Sequence, residues 1–341
     1  MTARNLPLTI SGHFLSGMLE KVLQVGGEPA AFRVLDSAHV TRGFLLQPDS
    51  RITRVQFVGG YKAVAAELDD EMHGLWSRPI RGGTLKFMMH SLLDAATLAI
   101  ALNRFAHFWN LLLDDYCLMM EREPNRIGIV LEPRAEGVSI NVLGHELMIK
   151  LVHGIVCWLL DKEIPLESVE FAFPQPDHWE DYAFLYPGAV SFDARRSSVW
   201  LAAAYGSTGF RRTRLELLTF LRRAPEDWAF TTLHEGLLSA RVRRYLAAQP
   251  MPVAVVGEVA SAFSLSVRTL TRKLTEEGRT FRAIRDDLRR DLAVQLLTQS
   301  RASVDSIATL VGFANTAAFS RAFRLWMDKT PTAYRQSGSR G

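Results

Sequence analysis

Apolar positions recur along this chain first with mixed helical and strand periods and then with an almost unbroken helical one. Near the start, Phe14, Met18, Val22 and Val25 fall at spacings of four, four and three. That spacing predicts a helix capped by Ser11 and closed at Gly26-Gly27. Leu98, Leu102, Phe105, Trp109 and Leu112 share one face of a longer helix after Thr97. Residues 127–131 and 138–142 read as strands, with 132–137 as the turn of a hairpin between them. The most apolar run, 147–160, is interrupted by Lys150 and His153 and is too short to span a bilayer, which predicts a buried or interface helix. Residues 169–173, 189–192 and 199–203 predict further strands. Helices mixed with short strands, lacking the regular alternation of a doubly wound parallel sheet, predict an α+β domain over residues 1–215.

Gly, Ser, Arg and a Pro accumulate at 206–214 and 222–227, which places an interdomain linker at 216–231. Helical periodicity then fills 232–336, and 337–341 form a tail. Leu237, Val242, Tyr245 and Leu246 mark a first helix, stopped by Pro250 and Pro252. Helices follow at 253–263 and 266–277, then one from Thr280 carrying Phe281, Ile284, Leu288, Leu292 and Leu296, then 304–311 and 315–327. Within this region one pattern occurs twice. Val259-Ala260 leads through Ser264-Leu265 to Leu270 and Leu274, and Ile307-Ala308 leads through Gly312-Phe313 to Phe319 and Phe323. Each Ala stands where two helices cross closely. Four residues on, the turn requires φ > 0, which favours Gly. Two such helix-turn-helix patterns, their alanines 48 residues apart, predict an all-α, DNA-reading domain with a long helix joining its readers.

Charge supports this division. The 341-residue chain has a net charge of +4, but residues 231–341 hold 17 Lys/Arg against 9 Asp/Glu, while 1–230 hold 23 against 27. A basic third rich in Arg suits phosphate and guanine contacts. Only Cys117 and Cys157 are present, and both sit in apolar runs, so buried thiols in a reducing cytoplasm are expected. No basic segment followed by a sustained apolar core opens the chain, and no secretory signal is expected.

A helix in the major groove presents its first turns to base edges. With Leu270 and Leu274 turned inwards, Arg268, Thr271 and Arg272 point out from the first reader. Asn315, Thr316, Ala317, Ser320 and Arg321 do so from the second. An Arg bidentate to guanine is worth roughly 1–3 kcal/mol of discrimination. The joining helix, about 18 residues at 1.5 Å each, spans about 27 Å. That is close to the roughly 34 Å between successive major-groove faces. Its Arg282, Arg285, Arg289 and Arg290 are expected on a solvated face beside Asp286, Asp287 and Asp291.

Residues 253–335 resemble the DNA-binding domain of the AraC/XylS transcription regulators. The likeness is carried by Val311-Gly312-Phe313-Ala314-Asn315-Thr316-Ala317-Ala318-Phe319-Ser320-Arg321-Ala322-Phe323, then Trp326 and Thr330-Pro331-Thr332-Ala333-Tyr334-Arg335. The resemblance implies seven helices and base-facing roles for the positions named above. It also implies promoter DNA and RNA polymerase as partners, a homodimer, and activation of transcription in a bacterial cytoplasm. Ser264 and Asp328 depart from the family, standing where many relatives have Gly. Upstream, Gly83-Thr84-Leu85, the helix at 97–114, and Pro174, Asp177, Tyr182 and Phe192 are similar to the "arabinose-binding" effector domain of the ornithine-utilisation-regulator branch. A small-molecule effector is implied, without its identity.

Enzyme chemistry finds little support. His145-Glu146 opens like a zinc-protease helix, but Ile149 stands where the second His belongs, and His153 lies two turns away. No phosphate-binding Gly loop occurs, Gly206-Ser207-Thr208-Gly209 is one residue short of a nucleophile elbow, and the nine His show no metal-ligand spacing. No catalytic residue, cofactor, metal or membrane association is expected. Trp76, Phe87, His90, Phe105, His107, Trp109 and Trp158 are the aromatic candidates for an effector pocket. The competing class is a non-specific architectural DNA-binding protein with an inert N-terminal domain, which would show steep salt dependence and little preference among sequences.

Overall fold

The computed structural model describes residues 9–45, 50–231, 238–247, 249, 255–276, 279–327 and 329–339. Leu237, Pro250, Pro252, Asp328 and the end of the tail lie outside them. The chain forms two compact bodies, and neither is continuous in sequence. One comprises His13–Val34 and Val58–Thr232, the other Met1–Gly12, Leu35–Phe57 and Leu233–Gly341. The contiguous 1–215 and 232–336 division expected from periodicity therefore differs from the packing.

The first body is α+β. Its sheet has five strands in the order Tyr116–Arg122, Arg126–Pro133, Ser197–Ala202, Ser168–Glu170, Ala189–Ser191. The first three pairings are antiparallel and the last is parallel. The hairpin is not the one read from the sequence: 126–133 pairs backwards with 116–122, through a turn at Pro124-Asn125. The stretch 138–141 is not a strand, because Asn141 accepts from the Gly144 amide at 3.0 Å and starts a helix there. That helix, Val142–Leu160, is longer than expected and, at 19 residues, long and apolar enough to cross a membrane; here 94% of its 18-residue apolar window is buried inside the protein. Burial requires partners for its polar groups. Lys150 Nζ donates to the Leu185 carbonyl at 2.7 Å, His145 Nδ1 meets Ser197 Oγ at 2.8 Å, and His153 Nε2 meets the Ile164 carbonyl at 2.8 Å. Desolvation lowers the Lys150 ammonium to a pKa of about 8.

Three further expectations are corrected. Ser11 belongs to a short strand rather than capping the first helix, whose cap is Gly12. The helical run His13–Ala38 breaks at Gly27, at φ 67°, and resumes with Pro29 in its new first turn, so Gly26-Gly27 is a kink instead of an end. Residues 216–231, expected as linker, are largely helical. Thr213 and Glu216 form a capping box for Arg214–Arg223, Leu217 and Phe220 are buried, and Trp228 on Glu226–Ala229 packs against Gly154. Apolar residues at helical spacing outweighed the Arg- and Pro-rich composition.

In the second body, seven helices follow residue 237 among the described residues: Leu238–Ala247, Val256–Ala262, Val267–Glu276, Phe281–Gln299, Val304–Leu310, Thr316–Met327 and Pro331–Ser339. Leu238, Val242, Leu246, Val259, Ala260, Leu270, Leu274 and Ile284 form one core. Ile307, Ala308, Val311, Phe319, Phe323, Met327 and Tyr334 are buried around the second pair. The N-terminal segments belong to this body through the short antiparallel pair Thr9–Ser11 with Arg51–Thr53, and through helix Arg42–Leu45, which lies against Pro331–Ser339. Gln56 Nε2 donates to Tyr334 Oη at 3.5 Å.

Candidate nucleic-acid interface and ligand cavity

Both helix-turn-helix turns take the left-handed backbone that the sequence pattern demands. Gly312 has φ 80° and Ser264, despite its Cβ, φ 54°. Each reading helix then starts at a side-chain cap, Ser266 Oγ accepting from Thr269 N at 3.1 Å and Asn315 Oδ1 from Ala318 N at 2.8 Å. Leu270 and Leu274 lock the first reader inwards, and Phe319 and Phe323 lock the second.

The outward faces follow by helical spacing. Arg268, Thr271 and Arg272 are exposed, as are Ala317 and Arg321, while Thr316 and Ser320 are half-buried. Arg272 pairs with Glu276 one turn on, both side chains more than half exposed, a contact weak enough to yield to a phosphate or base. Asn315 and Thr316 already have partners inside the protein: the Asn315 amide caps its helix, and the Thr316 hydroxyl bonds Asp305. Exposed Lys273 and Arg324 extend the two basic faces and were not singled out from the sequence. Their signal was present as cations one position beyond Arg272 and three beyond Arg321.

The helix Phe281–Gln299 that joins the readers, 19 residues starting at the Thr280 cap, is about 29 Å long. Its arginines do not share a solvated face. Arg282 is largely exposed, but Arg290 is 3% exposed and bonds Asp287 and Asp291. Arg279 closes on the other side of Asp287 at 2.6 Å, and Arg243 on that of Asp291 at 3.1 Å. Arg289 donates to the Gly312 carbonyl at 2.8 Å and lies 4.9 Å from the Phe313 ring centroid, tying the joining helix to the second turn. Desolvation, reinforced by Arg285, lowers its pKa. These side chains brace the readers; the expectation of a solvated ladder holds for Arg282 with Asp286 only.

The first body contains a cavity of about 300 Å³ lined by Tyr61, Lys62, Ala65, Glu71, Met72, Leu85, Lys86, Trp109, Leu151, Leu221, Ala224 and Trp228. The Gly83-Thr84-Leu85 motif has its geometry from Glu71, whose carboxylate accepts from Gly83 N at 2.6 Å and Leu85 N at 2.7 Å. Burial raises the Glu71 pKa, and these two bonds oppose the rise. Tyr61 Oη donates to the Glu71 carbonyl at 3.0 Å, and Trp109 Nε1 is buried without a partner. Of the seven aromatic candidates, only Trp109 lines this cavity. Trp76 stacks on His145, Phe105 and Trp158 are core, Phe87 and His107 are exposed, and His90 is half-buried. The other lining residues come from separate helices and loops, so no linear period could have gathered them.

Comparison with known proteins places this geometry. The "Arabinose-binding domain of AraC transcription regulator, N-term" family matches residues 26–208, and a "Helix-turn-helix domain" family matches 259–337. The ornithine utilization regulator of Pseudomonas aeruginosa is 26% identical over 331 residues, 95% of each chain. The HTH-type transcriptional regulator VqsM of that organism is 33% identical over 109 residues, 32% of this chain and 34% of VqsM. Among solved structures, the transcriptional regulator CdpR of P. aeruginosa aligns over 95% of this chain and 98% of its own, at 18% identity and a TM-score of 0.32. With its regulatory-domain match alone covering more than half its length, and a helix-turn-helix domain behind it, the chain belongs to the AraC family of transcription regulators, which are DNA-binding proteins and not enzymes.

Proposed function

We propose that this protein is a cytoplasmic, effector-responsive transcription activator that reads a specific promoter site with both helix-turn-helix units. The carrying observation is the pair of locked reading helices, each with an exposed polar face, on one continuous helix of about 29 Å, close to the groove repeat of roughly 34 Å. Arg268 and Arg272 are the strong base readers. Ala317, Ser320 and Arg321 read more weakly, with Lys273 and Arg324 on phosphates. Asn315 and Thr316 contribute mainly by holding the second helix in place.

The cavity between Tyr61, Trp109 and Trp228 is the effector site. Its apolar walls suit the body of a small metabolite, and Lys62 and Lys86 at its lining suit an acidic group. Occupancy changes promoter engagement only if the effector favours one arrangement of the protein over another. Homodimerisation and contact with RNA polymerase belong to the same reading.

Footprinting tests it directly. Arg268→Ala and Arg321→Ala each weaken the specific site and relax preference at separate positions one helical turn apart. Loss of neither affinity nor preference in both variants refutes the assignment, and equal competition by unrelated duplex DNA favours the architectural alternative. Thermal-shift screening of the full chain against amino acids, aromatic acids and fatty acids tests the cavity, with Trp109→Ala expected to abolish the shift.

A further inference from the structure

The deeply buried carboxylate of Glu146 is absorbed neither by the interface nor by the cavity. Its Oε1 accepts from His178 Nε2 at 2.6 Å and from the Tyr182 hydroxyl, and Tyr186 Oη donates to the Glu146 carbonyl at 2.8 Å. Its Oε2 is equally buried and has no partner. A buried carboxylate oxygen without a donor is costly, and such an atom calls for an explanation. A second imidazole lies beside it: His13 stacks on His178 with centroids 4.2 Å apart and planes at 22°. Ligand atoms of His13, Glu146 and His178 all lie within 4.8 Å of one another.

We propose that His13, Glu146 and His178 bind one divalent metal ion of the zinc class. Two imidazoles and one carboxylate are a donor set that zinc accepts with one position left open. Phe14 packs edge-on against His178, and Tyr182 holds Glu146, so two of the three ligands are already oriented. On binding, His178 Nε2 turns from Glu146 to the metal, which requires the ring to carry its proton on Nδ1. Tetrahedral zinc sets its ligand atoms about 3.3 Å apart, so the 2.6 Å contact between Glu146 and His178 opens while wider separations, none above 4.8 Å, close. The exposed side of His13 leaves the open position to water or a ligand. The sequence hid this set because His145-Glu146 draws attention to its own helix, whereas His145 turns towards Ser197 and Trp76.

The test uses full-length, chelator-stripped protein titrated with Zn²⁺ against a chromophoric chelator, and with Co²⁺ followed by its visible absorption. One equivalent binds, and His13→Ala and His178→Gln each weaken binding at least tenfold, while His107→Ala, at an exposed position, leaves it unchanged. His13 is exposed, so its variant folds and decides the matter even if His178→Gln does not. Absence of stoichiometric binding, or wild-type binding by His13→Ala, overturns the proposal.

Discussion

Arg290→Met offers a sharp test of how the readers are braced. The guanidinium gives three hydrogen bonds: Nη1 to Asp287 Oδ1 at 3.1 Å, Nε to Asp291 Oδ1 at 3.2 Å and Nη2 to the same oxygen at 3.0 Å. Each carboxylate keeps a second arginine on its other oxygen, Arg279 on Asp287 and Arg243 on Asp291. Methionine fills most of the vacated volume but strips a donor from both buried oxygens. Breaking a buried pair in this way costs about 3–5 kcal/mol, and the surviving outer arginines place this case near 3. For a body of roughly 100 residues, each kcal/mol moves the midpoint by about 4–8 °C, so the loss exceeds about 10 °C. Denaturant unfolding followed by circular dichroism measures the cost at low and at 1 M salt. Raising salt to 1 M shortens the Debye length to about 3 Å, yet a network this buried is barely screened, so the cost persists. Arg282→Ala, at a pair whose arginine is 83% exposed, serves as the contrast and costs under about 1 kcal/mol, vanishing with salt. If Arg290→Met costs less than about 1 kcal/mol, or its cost disappears in salt, the bracing role is wrong.

Other outcomes follow from the first body. His73 is wholly buried, and desolvation, opposed by a backbone hydrogen bond with Tyr61, lowers its pKa from 6.5 to about 3. The unfolded ring therefore takes up its proton first, so the stability its neutrality supports is complete above pH 6.5 and is lost as pH falls towards 3. His73→Phe flattens the pH dependence of unfolding by up to about 1.4 kcal/mol per pH unit in that window; an unchanged slope contradicts the burial argument. A Cβ at Gly154 would stand 2.2 Å from the Trp228 carbonyl oxygen, a clash with backbone. Gly154→Ala displaces the 226–229 helix at a cost of about 1–3 kcal/mol or more, read as a shifted unfolding midpoint and altered Trp fluorescence. Cys157 is buried, and desolvation raises its thiol to about 12. It resists a thiol reagent until the protein unfolds, while half-buried Cys117 reacts first; prompt reaction of two thiols in the native state defeats this expectation.

The elements set by local rules were legible in the sequence. Thr97 and Thr280 cap their helices as short polar side chains before apolar periods do, and Ala260, Ala308, Ser264 and Gly312 mark crossings and turns whose sterics depend on a few neighbouring residues. The inward Leu and Phe of each reader fixed its outward face, because a helix has one register for both. Strand partners were another matter: the strand at 126–133 carries the same alternation whichever neighbour it pairs with, and only the Asn141 cap and the packing against 197–202 excluded 138–142. Charge misled similarly, since Arg290 and Arg282 look alike in sequence and their fates diverge only when other helices close over one of them.

The sequence alone determined the kind of protein this is, a regulatory domain joined to a duplicated DNA reader, because helical period, turn chemistry and composition are properties of short stretches. The tertiary structure decided which arginines brace and which face outwards, which residues surround the cavity, that segment 35–57 packs with the C-terminal helices, and that His13, Glu146 and His178 meet. Those outcomes rest on contacts between residues far apart in the chain, and no local pattern encodes such proximity.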